Sequence, residues 1–131
     1  MQRFYKINYR WECKKRKPCD DVLLEAVITS AITIQTENTL LRWLDEQEKG
    51  CTCVDGKNVT CWYCGGVWLH YTINENAVSL YMHSGGEDAF DSLAYCANKI
   101  ADVLYQKHPD ITIRWIEHPH RRNSLKETRK L

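Results

Sequence analysis

Four cysteines cluster in the middle of the chain, at Cys51, Cys53, Cys61 and Cys64. Thiolates are preferred ligands of zinc, which binds four of them in a tetrahedron with Zn–S distances of about 2.3 Å. Asp55-Gly56, between the two thiol pairs, is a strong signal for a tight turn. A hairpin folded at this turn brings the pairs together, so the sequence predicts a structural zinc site with all four cysteines as ligands.

The two halves of this predicted site differ in form. Cys61-Trp-Tyr-Cys64-Gly65 resembles half of a zinc knuckle, because the glycine lets the backbone turn tightly and point amides at a thiolate sulfur. The other pair has one residue between its thiols and departs from that pattern. Four sulfur ligands leave no open position on the metal, so we expect no catalytic residues here. His70 is the alternative ligand if one of the thiols does not bind.

Two other interpretations of these thiols stay open. Cys61 and Cys64 also match the dithiol motif of thiol-disulfide enzymes, although glycines and a predicted strand follow them instead of a helix. A disulfide within the hairpin is the other interpretation. Outside the cluster, Cys13 and Cys19 flank a basic loop and are interpreted as free thiols, with a second weak metal site or an oxidised pair as the alternatives. Cys96 falls on a predicted helix and is interpreted as a core residue.

Two aromatic residues, Trp62 and Tyr63, lie between two of the predicted ligands. At the tip of a rigid hairpin, exposed rings suit either base stacking or a hot spot for a protein partner. In the alternative arrangement the rings fold back onto Trp43 or Trp68. We therefore predict Trp62 and Tyr63 as partner-binding residues and keep the buried arrangement open.

Basic residues are concentrated at both ends of the chain. Residues 1–20 contain seven basic and two acidic residues, and residues 114–131 contain six basic and two acidic ones, although the net charge is only +1. Such ends suit nucleic acid or an acidic partner, while the acidic body argues against nucleic acid wrapping around the domain. The candidate contacts are Lys14, Lys15, Arg16, Lys17, Arg121 and Arg122. His118-Pro119-His120 is a further candidate for binding phosphate or metal, with a disordered tail as the alternative.

Length and composition indicate one globular domain. The chain has 131 residues, of which 44% are hydrophobic and 27% charged. No apolar run reaches the roughly 18 residues needed to span a membrane, so we expect no membrane partner. The first residues alternate between apolar and polar types and do not resemble a signal peptide, which predicts a cytoplasmic location where thiols stay reduced.

Hydrophobic periodicity predicts the secondary structure and the fold class. The predicted elements are a strand at 3–11, helices at 21–33 and 38–48, a hairpin of strands at 67–73 and 77–83, a helix from residue 87 to His108-Pro109, and a strand at 111–116. The segment 21–33 is ambiguous, because its β-branched residues also suit a strand. We predict an α+β fold with a mainly antiparallel sheet of about four strands, two or three helices on one face, and an inserted four-cysteine zinc hairpin at 51–66.

The sequence carries no recognisable catalytic signature, since it lacks a Walker loop, His-Glu-x-x-His and Gly-x-Ser-x-Gly. We therefore predict a single non-enzymatic domain over residues 1–117, followed by a flexible basic tail over 118–131. Its predicted function is that of a zinc-binding protein-interaction module, such as a regulator, an assembly factor or an inhibitor of a larger complex. The alternatives are a nucleic-acid-binding zinc module that uses the basic ends and the aromatic tip, and a thiol-disulfide redox protein.

Overall fold

The computed structural model describes residues 4–12, 20–119, 121–122 and 129–130. The helices are α1 (Tyr9–Glu12), α2 (Thr33–Leu44) and α3 (Ala89–Lys107). The long strands are β1 (Asp20–Thr29), β2 (Glu48–Val54), β3 (Lys57–Cys64), β4 (Val67–Ile73), β5 (Ala77–Ser84) and β6 (Thr112–Glu117). Two strands of 2 residues each, β7 (Arg121–Arg122) and β8 (Arg129–Lys130), complete the sheet.

The strands form one antiparallel sheet in the order β6-β1-β5-β4-β3-β2-β8, and β7 pairs with the start of β1. Strands β2 to β5 follow one another as a meander. β1 inserts between β5 and β6, so its backbone is hydrogen-bonded on both edges. This central position buries alternate side chains of β1 to an exposure of at most 1%, namely those of Val22, Leu24, Ala26 and Ile28.

The hydrophobic core lies between one face of this sheet and helices α2 and α3, and we call that face the helix side. β5 contributes the fully buried side chains of Val78, Leu80 and Met82, which alternate along the strand. The helices contribute Leu40, Leu44, Leu93, Ala97, Ile100 and Leu104, which recur at helical spacing. We call the opposite face, which none of the described helices covers, the outer side.

Two tight turns shape the meander. Asp55 and Gly56 have φ values of 52° and 78°, and Gly65 and Gly66 have φ values of 53° and 87°. Positive φ at both central residues is typical of the type I′ turns that join two strands through two residues. The turn predicted at Asp55-Gly56 is therefore confirmed, and the two glycines after Cys64 make an equivalent turn between β3 and β4.

The structure corrects the predicted fold class in two respects. The sheet contains six strands of 6 to 10 residues, whereas the prediction was about four. Residues 51–66 are not an insertion but belong to β2, β3 and the following turn within the same sheet. The prediction of an inserted zinc hairpin was therefore wrong. The physical reason is that β3 pairs with β4 as well as with β2, which satisfies its backbone on both edges.

The helix predicted at 21–33 is also wrong, because residues 20–29 form the central strand β1. Strand pairing on both edges and alternate burial outweigh the helical spacing that the same apolar residues display. The helix predicted at 38–48 exists but spans Thr33–Leu44, because β2 already begins at Glu48.

The strand predicted at 3–11 is replaced by an extended segment and the short helix α1. Asn8 begins this helix: its side-chain oxygen accepts the N–H of Arg10 at 2.9 Å, and its carbonyl accepts the N–H of Trp11 at 3.0 Å. Tyr9 is exposed and Trp11 is buried, so the predicted alternation fails at Tyr9.

The second half of the chain agrees closely with the prediction. The hairpin of β4 and β5, the long helix α3 ending before His108-Pro109, and the strand β6 are all confirmed. No described helix has both the length and the apolar character needed to cross a membrane. In the predicted tail at 118–131, β7 and β8 pair with β1 and β2, and the flexibility of the other tail residues stays a prediction.

Candidate functional site

The cysteines of the predicted zinc site are divided between the two sides of the sheet. In the hairpin of β2 and β3, Cys51 pairs with Thr60, whereas Cys61 pairs with Gly50. Successive side chains of a strand point to opposite faces. Cys51 and Cys53 therefore lie on the helix side, and Cys61 lies on the outer side.

Cys64 is distant from Cys53 although both lie on the helix side. The hairpin pairs Cys53 with Asn58 near the start of β3, whereas Cys64 is the last residue of β3. The extended chain from Asn58 to Cys64 spans roughly 20 Å. Among the described residues, no group of three or more His, Cys, Asp or Glu side chains is placed to hold a metal ion. Zinc binding by the four thiols stays a prediction, and it requires an arrangement other than this hairpin.

Cys64 instead meets Cys96 of helix α3. Cys96 is fully buried in the hydrophobic core, and Cys64 is half-buried and packs against that core. The hydrogen bond from Cys96 and the nearby charge of Lys99 lower the pKa of Cys64 to about 7, against the opposing effect of burial. The same hydrogen bond, together with burial, raises the pKa of Cys96. Cys64 is therefore the more readily ionised thiol of the pair.

Cys61 has a different environment from Cys64, despite their Cys-x-x-Cys spacing. It is buried on the outer side, and burial together with the neighbouring Cys51 raises its pKa to about 11. Residues three apart on a strand face opposite sides of a sheet. The dithiol predicted at Cys61 and Cys64 is therefore not brought together by β3.

The glycine turn between β3 and β4 explains how Cys64 reaches α3. A Cβ atom at Gly66 would lie 3.3 Å from Oγ of Ser92 in the helix. The carbonyl of Gly66 also accepts a hydrogen bond from Oγ of Ser84 at 2.8 Å. The absence of a side chain at this position lets the turn approach α3 and places Cys64 beside Cys96.

Replacing Gly66 with alanine is expected to lower the free energy of unfolding by about 1–2 kcal/mol, because alanine disfavours positive φ and its methyl group crowds Ser92. Gly56→Ala is the matched control, since Gly56 also has positive φ but a Cβ atom there would meet no other atom within 4 Å. Urea denaturation followed by tryptophan fluorescence measures both losses. Equal losses in the two variants would contradict a close contact between the turn and α3.

Trp62 and Tyr63 lie on opposite sides of the sheet. Trp62 is 6% exposed on the helix side, and its ring stacks on Tyr71 with centroids 5.9 Å apart. Tyr63 is half-buried on the outer side, with its ring centroid 5.0 Å from that of Trp68. Partner binding by these two residues stays a prediction, for which Tyr63 is the more accessible candidate.

The outer side carries a group of stacked rings around His70. This histidine lies between Tyr81 and His83, at centroid distances of 4.9 Å and 5.2 Å. Burial lowers the pKa of His70, which favours its neutral form. Glu25 of β1, which pairs with Tyr81, has its Oε1 at 2.8 Å from Nε2 of His118, the residue after β6. His70, the alternative zinc ligand of the sequence prediction, is thus part of a ring stack.

The predicted basic contacts are described only in part. Those outside the described residues are Lys14, Lys15, Arg16 and Lys17, together with Cys13, Cys19 and His120. Arg121–Arg122 pair with the start of β1, and Arg129–Lys130 pair with β2. Backbone pairing therefore attaches two basic pairs of the C-terminal tail to the sheet.

Three adjoining hollows lie on the surface beside α3 and the N-terminal segment 4–8. The first, of about 370 Å³, lies between that segment and β6 and is lined by Phe4 and Trp115. The second, of about 380 Å³, lies beside Tyr95 and Asp102, and the third, of about 140 Å³, lies between Phe4 and Asp102. Because Phe4 and Asp102 each line two hollows, the three join into one surface, which we call the α3 groove.

The α3 groove combines exposed aromatic rings with charges of both signs. Phe4 is 57% exposed and Tyr95 is 61% exposed. The charged residues at its border are Lys6, Lys99, Asp102 and Glu117. Aromatic side chains within a polar rim are typical of protein interfaces, whereas nucleic-acid sites carry an excess of basic residues.

Asn98 fixes the N-terminal wall of the α3 groove. Its Oδ1 accepts the backbone N–H of Tyr5 at 2.8 Å, and its Nδ2 donates to the carbonyl of Tyr5 at 3.1 Å. The Tyr5 hydroxyl donates to Oε2 of Glu117 at 2.6 Å, and burial followed by this bond raises the pKa of Tyr5. The segment is therefore held to both α3 and β6, which positions Phe4 where two hollows meet.

The sequence interpretation missed both the α3 groove and the partner of Cys64. Tyr95 lies outside the apolar stripe of α3, so helical periodicity was a usable signal for its exposure. Phe4 and Cys96 offer no comparable signal, because their neighbours come from distant parts of the chain. In comparisons with known protein families, curated proteins and solved structures, this chain gave no match.

Proposed function

We propose that this protein is a non-enzymatic interaction module that binds a partner protein in the α3 groove. The observation that carries the proposal is the exposure of Phe4 and Tyr95, both more than half accessible, beside joined hollows. Aromatic residues next to pockets dominate the binding energy of many protein interfaces. Burying these two rings against a partner removes a large apolar area from water, which favours association.

The occupant that best fits the α3 groove is an amphipathic helix of the partner. The hollows beside α3 extend from Tyr95 to Tyr105, a length of about 15 Å or three helical turns. A partner helix presents apolar side chains at intervals of three or four residues along one face, which matches a row of hollows. Lys99 and Asp102 carry opposite charges at the border and favour one orientation of that helix.

The test compares the wild-type protein with the double variant Phe4→Ser/Tyr95→Ser and with the control Ile34→Ser. Ile34 is 65% exposed on α2, so the control removes an exposed apolar side chain outside the groove. The immobilised wild-type protein captures partners from nuclease-treated lysate, and mass spectrometry identifies them. Each partner is then purified and titrated calorimetrically against all three forms. We expect the groove variant to bind at least about tenfold more weakly, and the control to bind like the wild type. All three should be similarly stable, because exposed substitutions change stability little.

Equal affinity of the double variant and the wild type for the purified partner would overturn the proposal. A parallel titration with a fluorescent single-stranded oligonucleotide tests the nucleic-acid alternative. Tight binding that weakens steeply between low and high salt would replace the protein partner with nucleic acid. Tyr63, Arg121 and Arg122 would then be the residues to substitute next.

A further inference from the structure

Four exposed side chains of α3 form a straight row, which we call the α3 row. Its members follow one another at intervals of four, three and four residues and are Tyr95, Lys99, Asp102 and Gln106. This spacing is that of the seam along which two helices pack against each other. Nζ of Lys99 lies 5.8 Å from the centroid of the Tyr95 ring. Gln106 donates a hydrogen bond to Asp102 at 3.2 Å, so contacts within the row hold both charges in line.

The α3 row is complementary to an inverted copy of itself. When two such rows run antiparallel, Lys99 of each copy lies opposite Asp102 of the other. Tyr95 then lies opposite Gln106, which lines the hollow beside Phe4. Tyr95 and Gln106 are the same distance apart in both copies, about three turns of α3 or roughly 16 Å, so both tyrosine rings meet a hollow at once. A parallel pair in register would instead place each charge opposite its like.

We propose that two copies of this chain pair through the α3 row, antiparallel about a two-fold axis, and thereby cover the α3 groove of each copy. A two-fold interface uses the same surface of both subunits, so every contact occurs twice. The pairing covers Phe4 and Tyr95, which are more than half exposed in the single chain, and removes their apolar area from water. The regulation that follows rests on the proposed function, because a partner helix binds only a groove that the second copy leaves free.

The charges of the α3 row set both the direction and the strength of this pairing. Opposite charges at its centre favour the antiparallel pair over the parallel one. Exposed ion pairs contribute little each and are screened by salt, and polar residues in a helix seam reduce its stability. We therefore expect a reversible dimer whose population rises with protein concentration and falls with salt.

The test measures the dissociation constant of the dimer by sedimentation equilibrium of the reduced full-length protein. Lys99→Glu and Asp102→Lys each place like charges opposite one another at both contacts, so each should raise the dissociation constant at least about tenfold. The double variant exchanges the charges and should return close to the wild-type constant. An equal mixture of the two single variants should form a heterodimer, because every contact then joins opposite charges.

Lys107→Glu is the matched control, since it makes the same change of net charge at an exposed position of α3 outside the row. It should dimerise like the wild type, and circular dichroism checks that each variant is folded. A wild-type chain that stays monomeric at high concentration would overturn the proposal. So would single variants that dimerise normally, or a mixture of them that stays monomeric.

The same variants separate this proposal from the proposed function. A monomeric wild type whose captured partner is lost in Phe4→Ser/Tyr95→Ser would remove the dimer and leave the proposed function intact. Dimerisation that the double charge exchange restores, together with a captured partner that binds Phe4→Ser/Tyr95→Ser as tightly as the wild type, would support the dimer and overturn the proposed function.

Discussion

Replacing Trp62 with alanine is expected to lower the free energy of unfolding by roughly 3–5 kcal/mol, a large fraction of the stability of a domain of this size. Trp62 is 6% exposed and stacks on Tyr71 on the helix side of the sheet. Removing the ring leaves a cavity beside that tyrosine, which the surrounding core refills only in part. Chemical denaturation monitored by far-ultraviolet circular dichroism measures the loss.

Two companion variants separate the effect of burial from that of ring loss in general. Trp62→Phe keeps most of the ring and removes an indole N–H that has no hydrogen-bond partner among the described residues, so its cost should be well below that of alanine. Tyr63→Ala removes a half-buried ring from the outer side and should cost about 1 kcal/mol. Similar losses for Trp62→Ala and Tyr63→Ala would contradict the burial of Trp62. For binding experiments, Tyr63→Ala is therefore the usable variant of the two.

Replacing Asn98 with alanine is expected to release the segment 4–8 from α3 and to lower the free energy of unfolding by about 1–3 kcal/mol. The variant loses both hydrogen bonds to the backbone of Tyr5, so the N–H and the carbonyl of Tyr5 each lose the Asn98 side chain as a partner. Hydrogen exchange at the Tyr5 amide should accelerate more than exchange in the core of α3. Because the segment carries Phe4, partner binding in the α3 groove should weaken although no groove aromatic has been removed.

Asn98→Asp separates the two hydrogen bonds, because aspartate keeps an acceptor for the Tyr5 N–H but turns a second acceptor oxygen toward the carbonyls of Tyr5 and Ala94. This repulsion should make its cost at least as large as that of Asn98→Ala. Gln106→Ala is the control for position, since the Gln106 side chain bonds to Asp102 within the same helix at 3.2 Å. Unchanged exchange at Tyr5 in Asn98→Ala would show that other contacts hold the segment.

Local sequence signals predicted the elements of the second half of the chain and failed at β1. The hairpin of β4 and β5 alternates clearly, and α3 carries an apolar stripe that ends before His108-Pro109. β1 differs because its apolar residues run together in sequence at 22–24 and 26–28, although only alternate ones face the helices. A continuous apolar run fits a buried strand and a buried helix equally well. Only the pairing with β5 and β6, which are distant in sequence, decides between them.

The cysteine spacing was misleading for a related reason. Cys-x-x-Cys brings two sulfurs together in a turn or at the start of a helix, but on a strand it places them on opposite faces. Residues 57–64 form a strand because Trp62 and Tyr63 pair with Leu69 and Trp68 of β4. The packing of Cys64 against the core that contains Cys96 depends on how α3 crosses the sheet. Such a crossing has no counterpart in short-range sequence patterns.

The position of β1 in the sheet also has a consequence for the order in which the chain folds. The meander from β2 to β5 needs only short turns, whereas β1 must find β5 across residues 30–76 and β6 across residues 30–111. Local contacts form faster than distant ones, because closing a long loop costs more entropy. We therefore expect β1, which the ribosome synthesises before the other long strands, to enter the sheet late. Until it does, the edge of β5 stays open to pairing with another chain, which makes this interval the one most prone to aggregation.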